Sequence, residues 1–137
     1  MRIVVMDGMG GGLGAQIVAR VKPLATAHDV IALGANAIAT AAMMKAGATV
    51  GATGENAVLV NVGRADLILG PIGIAIPHSL MGEITPGMAA AVALSPALKI
   101  LVPMTQTQGH FELVGVDSRP LTASLDELAH RVSSLLK

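Results

Sequence analysis

Cysteine, tryptophan and tyrosine are absent from this chain, and Phe111 is its single aromatic residue. Without cysteine there is no disulfide framework, no thiolate metal ligand and no thiol nucleophile. Without large rings, alanine, methionine and glycine must fill the core, which favours close backbone packing. Charge is scarce as well: 13% of the residues are charged, against 53% hydrophobic, and the formal net charge is +0. Such a balance gives no bulk electrostatic reason to expect nucleic acid or an acidic membrane surface as a partner. The mean hydropathy of +0.68 is high. Even so, Gly or Pro cuts every apolar stretch, and none approaches the roughly 20 residues that a membrane span requires. The N-terminus opens directly into a strand pattern rather than a signal peptide, so a cytoplasmic protein without a membrane partner is expected. A chain this poor in charge cannot cover its own surface, which predicts a homodimer or higher homo-oligomer.

At 137 residues the chain is expected to be one domain, 1–137. Residues 2–6, 29–33, 66–69 and 98–102 are short apolar runs bounded by Asp, Gly or Pro, and read as buried strands. Helical patterns lie between them. Residues 13–21 have apolar spacing and are followed by Pro23. Residues 37–46 follow a capping Asn36 and precede Gly47, and Thr85-Pro86 announces a helix to about 94. Residues 125–136 close the chain as an amphipathic helix. Strands alternating with helices predict a three-layer α/β/α Rossmann-like sheet, mostly parallel. Residues 111–116 alternate and follow the fourth strand too closely for a parallel crossover, so they are expected as a fifth, antiparallel edge strand. Residues 49–63 are ambiguous: Val58-Leu59-Val60 has strand propensity, whereas Thr53 with Asn56 three residues on looks like a weak helix cap. An extended return over 47–53 followed by a helix over 54–63 would bring Thr53, Glu55 and Asn56 to the carboxyl edge of the sheet.

What the sequence has in excess is glycine at one place. In VVMDGMGGGLGAQIVARV, residues 4–21, five glycines fall within residues 8–14, between the first strand and the first helix. Strand, glycine turn and helix in that order point main-chain N–H groups at an anion, helped by the positive end of the helix dipole. Asp7, Gly8, Gly10, Gly11, Gly12, Leu13 and Gly14 are therefore the candidate binding loop for a nucleotide or another phosphate-bearing small molecule. Tight strand–helix packing is the competing explanation of the same glycines.

The segment DGMGGGLGAQIV resembles the T-G-x-x-x-G-I-G stretch of short-chain dehydrogenases, and DLILGPIGI (residues 66–74) is similar to their D-x-L-V-N-N-A-G-I strand and turn. That likeness implies that the third strand neighbours the first, giving order 2-1-3-4-5. It adds Gly70, Pro71 and Gly73 to the candidate site, and a nucleotide such as NAD(P) to the candidate ligands. It covers only the first half of the chain, and the departures are decisive for chemistry. With no Tyr there is no Tyr-x-x-x-Lys pair, so hydride transfer by that mechanism is excluded. The second strand ends in Leu33-Gly34-Ala35-Asn36, without an acid for a ribose, although Asn36 offers an amide. Over its full length the chain resembles a family of short bacterial proteins of unknown function (domain of unknown function thirty-eight forty-two). The shared segments are the loop, ALGANAIAT at 32–40, GATGEN at 51–56, GPIGI at 70–74 and GEITP at 82–86. This resemblance implies a Rossmann-like fold and no established activity.

Two further side chains are candidates for chemistry. Glu83 interrupts an uncharged sequence beside the predicted ligand edge; it reads as acid, base or magnesium ligand, or simply as a charge at the start of the following helix. His78, in the same loop, reads as a proton shuttle or phosphate partner, or as a solvated loop residue. If both belong to a site, the chain is a small enzyme acting on a phosphorylated or nucleotide substrate. If neither does, it is a binding protein, or an oligomer whose glycines only pack. The four histidines have no ligand spacing, so no metal site is expected. The polar segment 105–110, TQTQGH, reads as a hairpin loop or a lid.

Overall fold

The computed structural model describes residues 1–103, 111–116 and 119–137. In chain order its elements are β1 (Arg2–Asp7), α1 (Gly12–Val21), β2 (Asp29–Gly34), α2 (Ala37–Lys45), β3 (Val50–Thr53), α3 (Glu55–Val62), β4 (Leu67–Pro71), α4 (Pro86–Leu94), β5 (Leu98–Val102) and α5 (Leu121–Leu135). Single 3-10 turns follow α1 and β4. The strands form one sheet of order β3-β2-β1-β4-β5, and every pairing is parallel.

The central strands are apolar on both faces because helices cover both. From β1, Ile3 and Val5 pack with Ile17 and Val18 of α1, Met43 of α2 and Leu125 and Leu128 of α5. The alternate residues Val4 and Met6 pack with Val58 and Val62 of α3 and Met88 and Val92 of α4. The register levels the strand ends: Asp7 pairs with Gly34, and Gly34 with Thr53. The carboxyl edge is therefore a single rim, from which the loops leading into α1, α2 and α3 depart.

Local chemistry sets the helix starts. Asn36 Oδ1 accepts from the Ala39 amide at 2.9 Å, and Thr85 Oγ1 accepts from the Met88 amide at 3.1 Å with Pro86 at the first helical position. The extended return and helix weighed for residues 47–63 are both present, as β3 and α3.

Two expectations fail. Valine, isoleucine and leucine, rather than alanine, methionine and glycine, make up most of the buried core, because branched aliphatic side chains fill the space that rings would otherwise take. Residues 111–116 form no strand, and the last strand of the sheet, β5, runs parallel to its neighbour. Gly115 at φ +86° breaks the extended run, and the Val116 amide turns back onto the Leu113 carbonyl at 3.2 Å. The fifth strand is instead β3, at the opposite edge. The loop expected at 105–110 lies outside the described residues.

Thr85→Ala removes the cap of α4 and is expected to cost about 1 kcal/mol, read as a lower midpoint in urea at unchanged m-value.

Candidate functional site

At the end of β1 the Asp7 side chain turns back into the loop. Its carboxylate accepts from the Gly8 amide at 2.8 Å and from the Gly14 amide, in the first turn of α1, at 2.7 Å. Asp7 is only 5% exposed. Burial pushes its pKa above the usual carboxylate value; the Gly14 and Gly8 amides pull against that shift, and the nearby Glu83 charge adds to it.

The loop's glycines fall into two groups. Gly11 sits at φ +73°, and a Cβ there would come within 2.7 Å of Ala39 Cα in α2. A Cβ on Gly14 would lie 2.6 Å from Met43 Sδ and 2.8 Å from Asp7 Cβ, and one on Gly8 would lie 2.9 Å from Glu83 Oε1. Packing requires these three. Gly10 and Gly12 differ: nothing lies within 4 Å of a Cβ at either position, and neither has a positive φ. Both are exposed, and the amides of Gly10, Gly12 and Leu13 have no partner among the described residues. They face a cleft of about 320 Å³ lined by residues 7–13, Gln16, Pro71, Gly73, Leu80 and Leu121.

A second loop closes against the first. Between Ile76 and Ile84 the chain takes positive φ at His78, Leu80, Met81 and Gly82, a costly conformation for residues with a Cβ. It is held by His78 N–H to the Ile84 carbonyl at 2.7 Å and Ile84 N–H to the Ser79 carbonyl at 3.2 Å. The buried Ser79 hydroxyl donates to the Gly73 carbonyl. The turn directs Leu80 into the cleft and Glu83 onto the glycine loop. Glu83 Oε1 accepts from the Met9 amide, and Oε2 accepts from Asn36 Nδ2 at 2.7 Å. Asn36 Nδ2 also donates to the Met9 carbonyl at 2.9 Å. Three loops, after β1, β2 and β4, are thus joined through one carboxylate and one amide.

Of the residues singled out in the sequence, Asp7, Gly8, Gly10, Gly11, Gly12, Leu13, Pro71 and Gly73 line the cleft. Glu83 and Asn36 brace it through Met9. Gly14 and Gly70 have packing roles: a Cβ on Gly70 would meet the Met6 carbonyl oxygen at 2.4 Å. Thr53, Glu55 and Asn56 reach the carboxyl edge but do not line the cleft. Thr53 shares a 2.7 Å hydrogen bond with the Thr40 hydroxyl, and Glu55 accepts from Thr85 Oγ1 at 2.8 Å. Asn36 is not free for a ribose, because both amide hydrogens and the carbonyl are in use. His78 is exposed and lies outside the cleft lining. Among the described residues no His, Asp and Glu side chains cluster as a metal site. Sequence reasoning missed Gln16, Leu80 and Leu121. Gln16 was within reach, one turn beyond Gly12 on α1; Leu121 is brought in by the start of α5, far along the chain.

The model of a domain of unknown function, DUF3842, matches residues 2–137. The chain belongs to that family. No curated protein and no solved structure matches it. Among the described residues, no helix of this DUF3842 protein is long and apolar enough to cross a membrane.

Two outcomes follow for substitution in the loop. Gly11→Ala is expected to lose about 2–4 kcal/mol through its left-handed φ and the Ala39 contact, whereas Gly10→Ala stays within about 1 kcal/mol of the parent. Because Asp7 has a raised native pKa, its stabilising contribution is complete below its unfolded pKa and declines as pH rises through the native value. The stability difference between the parent and Asp7→Asn, measured by urea unfolding across pH 3–7, is therefore expected to shrink toward neutral pH.

Proposed function

We propose that this protein binds a nucleotide or another small phosphate-bearing molecule, with the anionic group on the amides of Gly10, Gly12 and Leu13. The carrying observation is the pair of glycines that neither packing nor backbone conformation requires. Glycine costs about 0.5–1 kcal/mol of conformational entropy relative to Ala in regular structure, and here it leaves main-chain donors open on a cleft at the start of a helix. A loop that served packing alone would need only Gly8, Gly11 and Gly14.

The surroundings favour a compact ligand, a mononucleotide or a sugar phosphate, over NAD(P). A dinucleotide needs a ribose partner at the end of the second strand, and Asn36 there is already spent on Met9, Glu83 and Ala39. The cleft opens on the β1–β4 side, past Pro71 and Gly73. Glu83 acts in this reading as a positioning residue that holds the Met9 turn, and no acid–base step is assigned to it. Its charge and that of Asp7 oppose a naked phosphate, by about 1–4 kcal/mol for charges 4 Å apart, so magnesium accompanying the ligand is expected to strengthen binding.

The test is thermal shift against nucleoside monophosphates, sugar phosphates and NAD, with and without magnesium. A ligand at about 100 times its Kd adds roughly 2.7 kcal/mol, a rise of several degrees. Gly12→Val, which fills the open position, is expected to abolish the shift while unfolding stays cooperative. A shift retained in that variant places the ligand elsewhere, and no shift with any compound contradicts the proposal.

A further inference from the structure

Beyond the glycines, the cleft beside the loop has aliphatic walls, supplied by Met9, Leu13, Pro71, Leu80 and Leu121. Two lining side chains are polar. Asp7 is spent, since its two oxygens accept from the Gly8 and Gly14 amides. Gln16 is open: its exposed side-chain amide has no hydrogen-bond partner among the described residues. The main-chain acceptors at the loop are used as well. The Asp7, Gly8 and Met9 carbonyls accept from Ala35 N–H, Gly11 N–H and Asn36 Nδ2, and the Gly73 carbonyl accepts from Ile76 N–H and the Ser79 hydroxyl. Gln16 lies one turn beyond Gly12 on α1, about 6 Å along the helix axis. Helical side chains lean toward the N-terminus of their helix, which keeps this amide on the cleft that the open N–H groups face.

We propose that the ligand is a nucleoside monophosphate whose base lies against these aliphatic walls, with its pairing edge on the Gln16 amide. This rests on the anionic group occupying the Gly10, Gly12 and Leu13 amides. A carboxamide presents a donor beside an acceptor, the pattern that Gln offers to adenine. Each common base carries a donor next to an acceptor on its pairing edge, and apolar faces that pack against leucine and proline. One open amide is therefore enough for a base. A hexose phosphate is a poorer match. It would set a ring of hydroxyls against the same walls, where a hydroxyl without a partner is costly and Gln16 alone cannot satisfy them all. The ribose hydroxyls of a nucleotide stay beside the loop, near the phosphate. At about 320 Å³ the cleft is at the small end for ligand pockets, which suits one nucleotide rather than two.

Isothermal titration of the purified full chain in the presence of magnesium tests it. The probes are inorganic phosphate, ribose 5-phosphate, glucose 6-phosphate and the monophosphates of adenosine, guanosine, cytidine and uridine. Ribose 5-phosphate is the nucleotide without its base. The tightest nucleotide is expected to bind about tenfold or more above either sugar phosphate. Gln16→Leu, at an exposed position, is expected to weaken that nucleotide roughly fivefold or more and to leave ribose 5-phosphate and inorganic phosphate unchanged. Ribose 5-phosphate binding as tightly as every nucleotide overturns the proposal. So does a Gln16→Leu variant that leaves the nucleotide unaffected, or one that weakens inorganic phosphate equally and so makes Gln16 a phosphate contact. The comparison of nucleotide with ribose 5-phosphate needs no variant, and it decides if Gln16→Leu fails to fold. Phosphate compounds that bind without favouring a nucleotide, and are lost in Gly12→Val, leave the anion site standing and overturn only this inference. If no probe binds, both readings fall.

Discussion

The bonds from the Gly8 and Gly14 amides to the buried Asp7 carboxylate fix the carboxyl edge of this molecule. Taking a carboxylate out of water is costly unless charged hydrogen bonds replace the lost solvation. Here the replacement comes from the main chain of the loop that the acid must hold. Gly14 is part of the same unit, since a Cβ there would collide with Asp7 itself and with Met43. Once α1 is pinned by its first turn, Gly11 meets α2 and the remaining amides turn outward. An apolar residue at position 7 would leave Gly8 and Gly14 without acceptors and free the helix start.

Glu83 repeats the device from the other side. The left-handed turn around residues 78–82 is unfavourable by itself, and it is balanced by the contacts it delivers: Leu80 into the cleft, Ser79 onto Gly73, and Glu83 onto Met9 and Asn36. Two carboxylates thus use up some of the loop's donors and leave others open. The cleft combines a positive helix end with neighbouring negative charge. That combination suits a ligand carrying both an anionic group and hydroxyls, or one that arrives with a cation.

Much of the framework is legible in residues. Alternation of apolar β1 residues between two cores, Asn36 and Thr85 as caps, and Pro86 at the first helical position all follow from short-range chemistry. The position of β4 beside β1 came from a likeness in two segments rather than from periodicity. Residues 111–116 alternate as a strand should, but the Val114-Gly115 turn interrupts them, and local pattern carries no record of which edge of the sheet remains open. The glycine loop was legible as a loop. Its division into packing and open glycines was not, because that division depends on Ala39, Met43 and Glu83, which are distant in sequence and close only after folding. Asn36 shows the same limit: its type fits a ribose contact, and its neighbours in space take all its hydrogen-bonding groups.

The central claim is that the open amides of the glycine loop hold the ligand. Amide chemical-shift mapping of the labelled chain, titrated with a nucleoside monophosphate in the presence of magnesium, tests it most directly. The account predicts saturable shifts largest at Gly10, Gly12 and Leu13, with smaller ones at Gln16 and Gly73. Saturable shifts centred elsewhere, for instance around Thr53 and Asn56, with the loop amides unmoved, would contradict it.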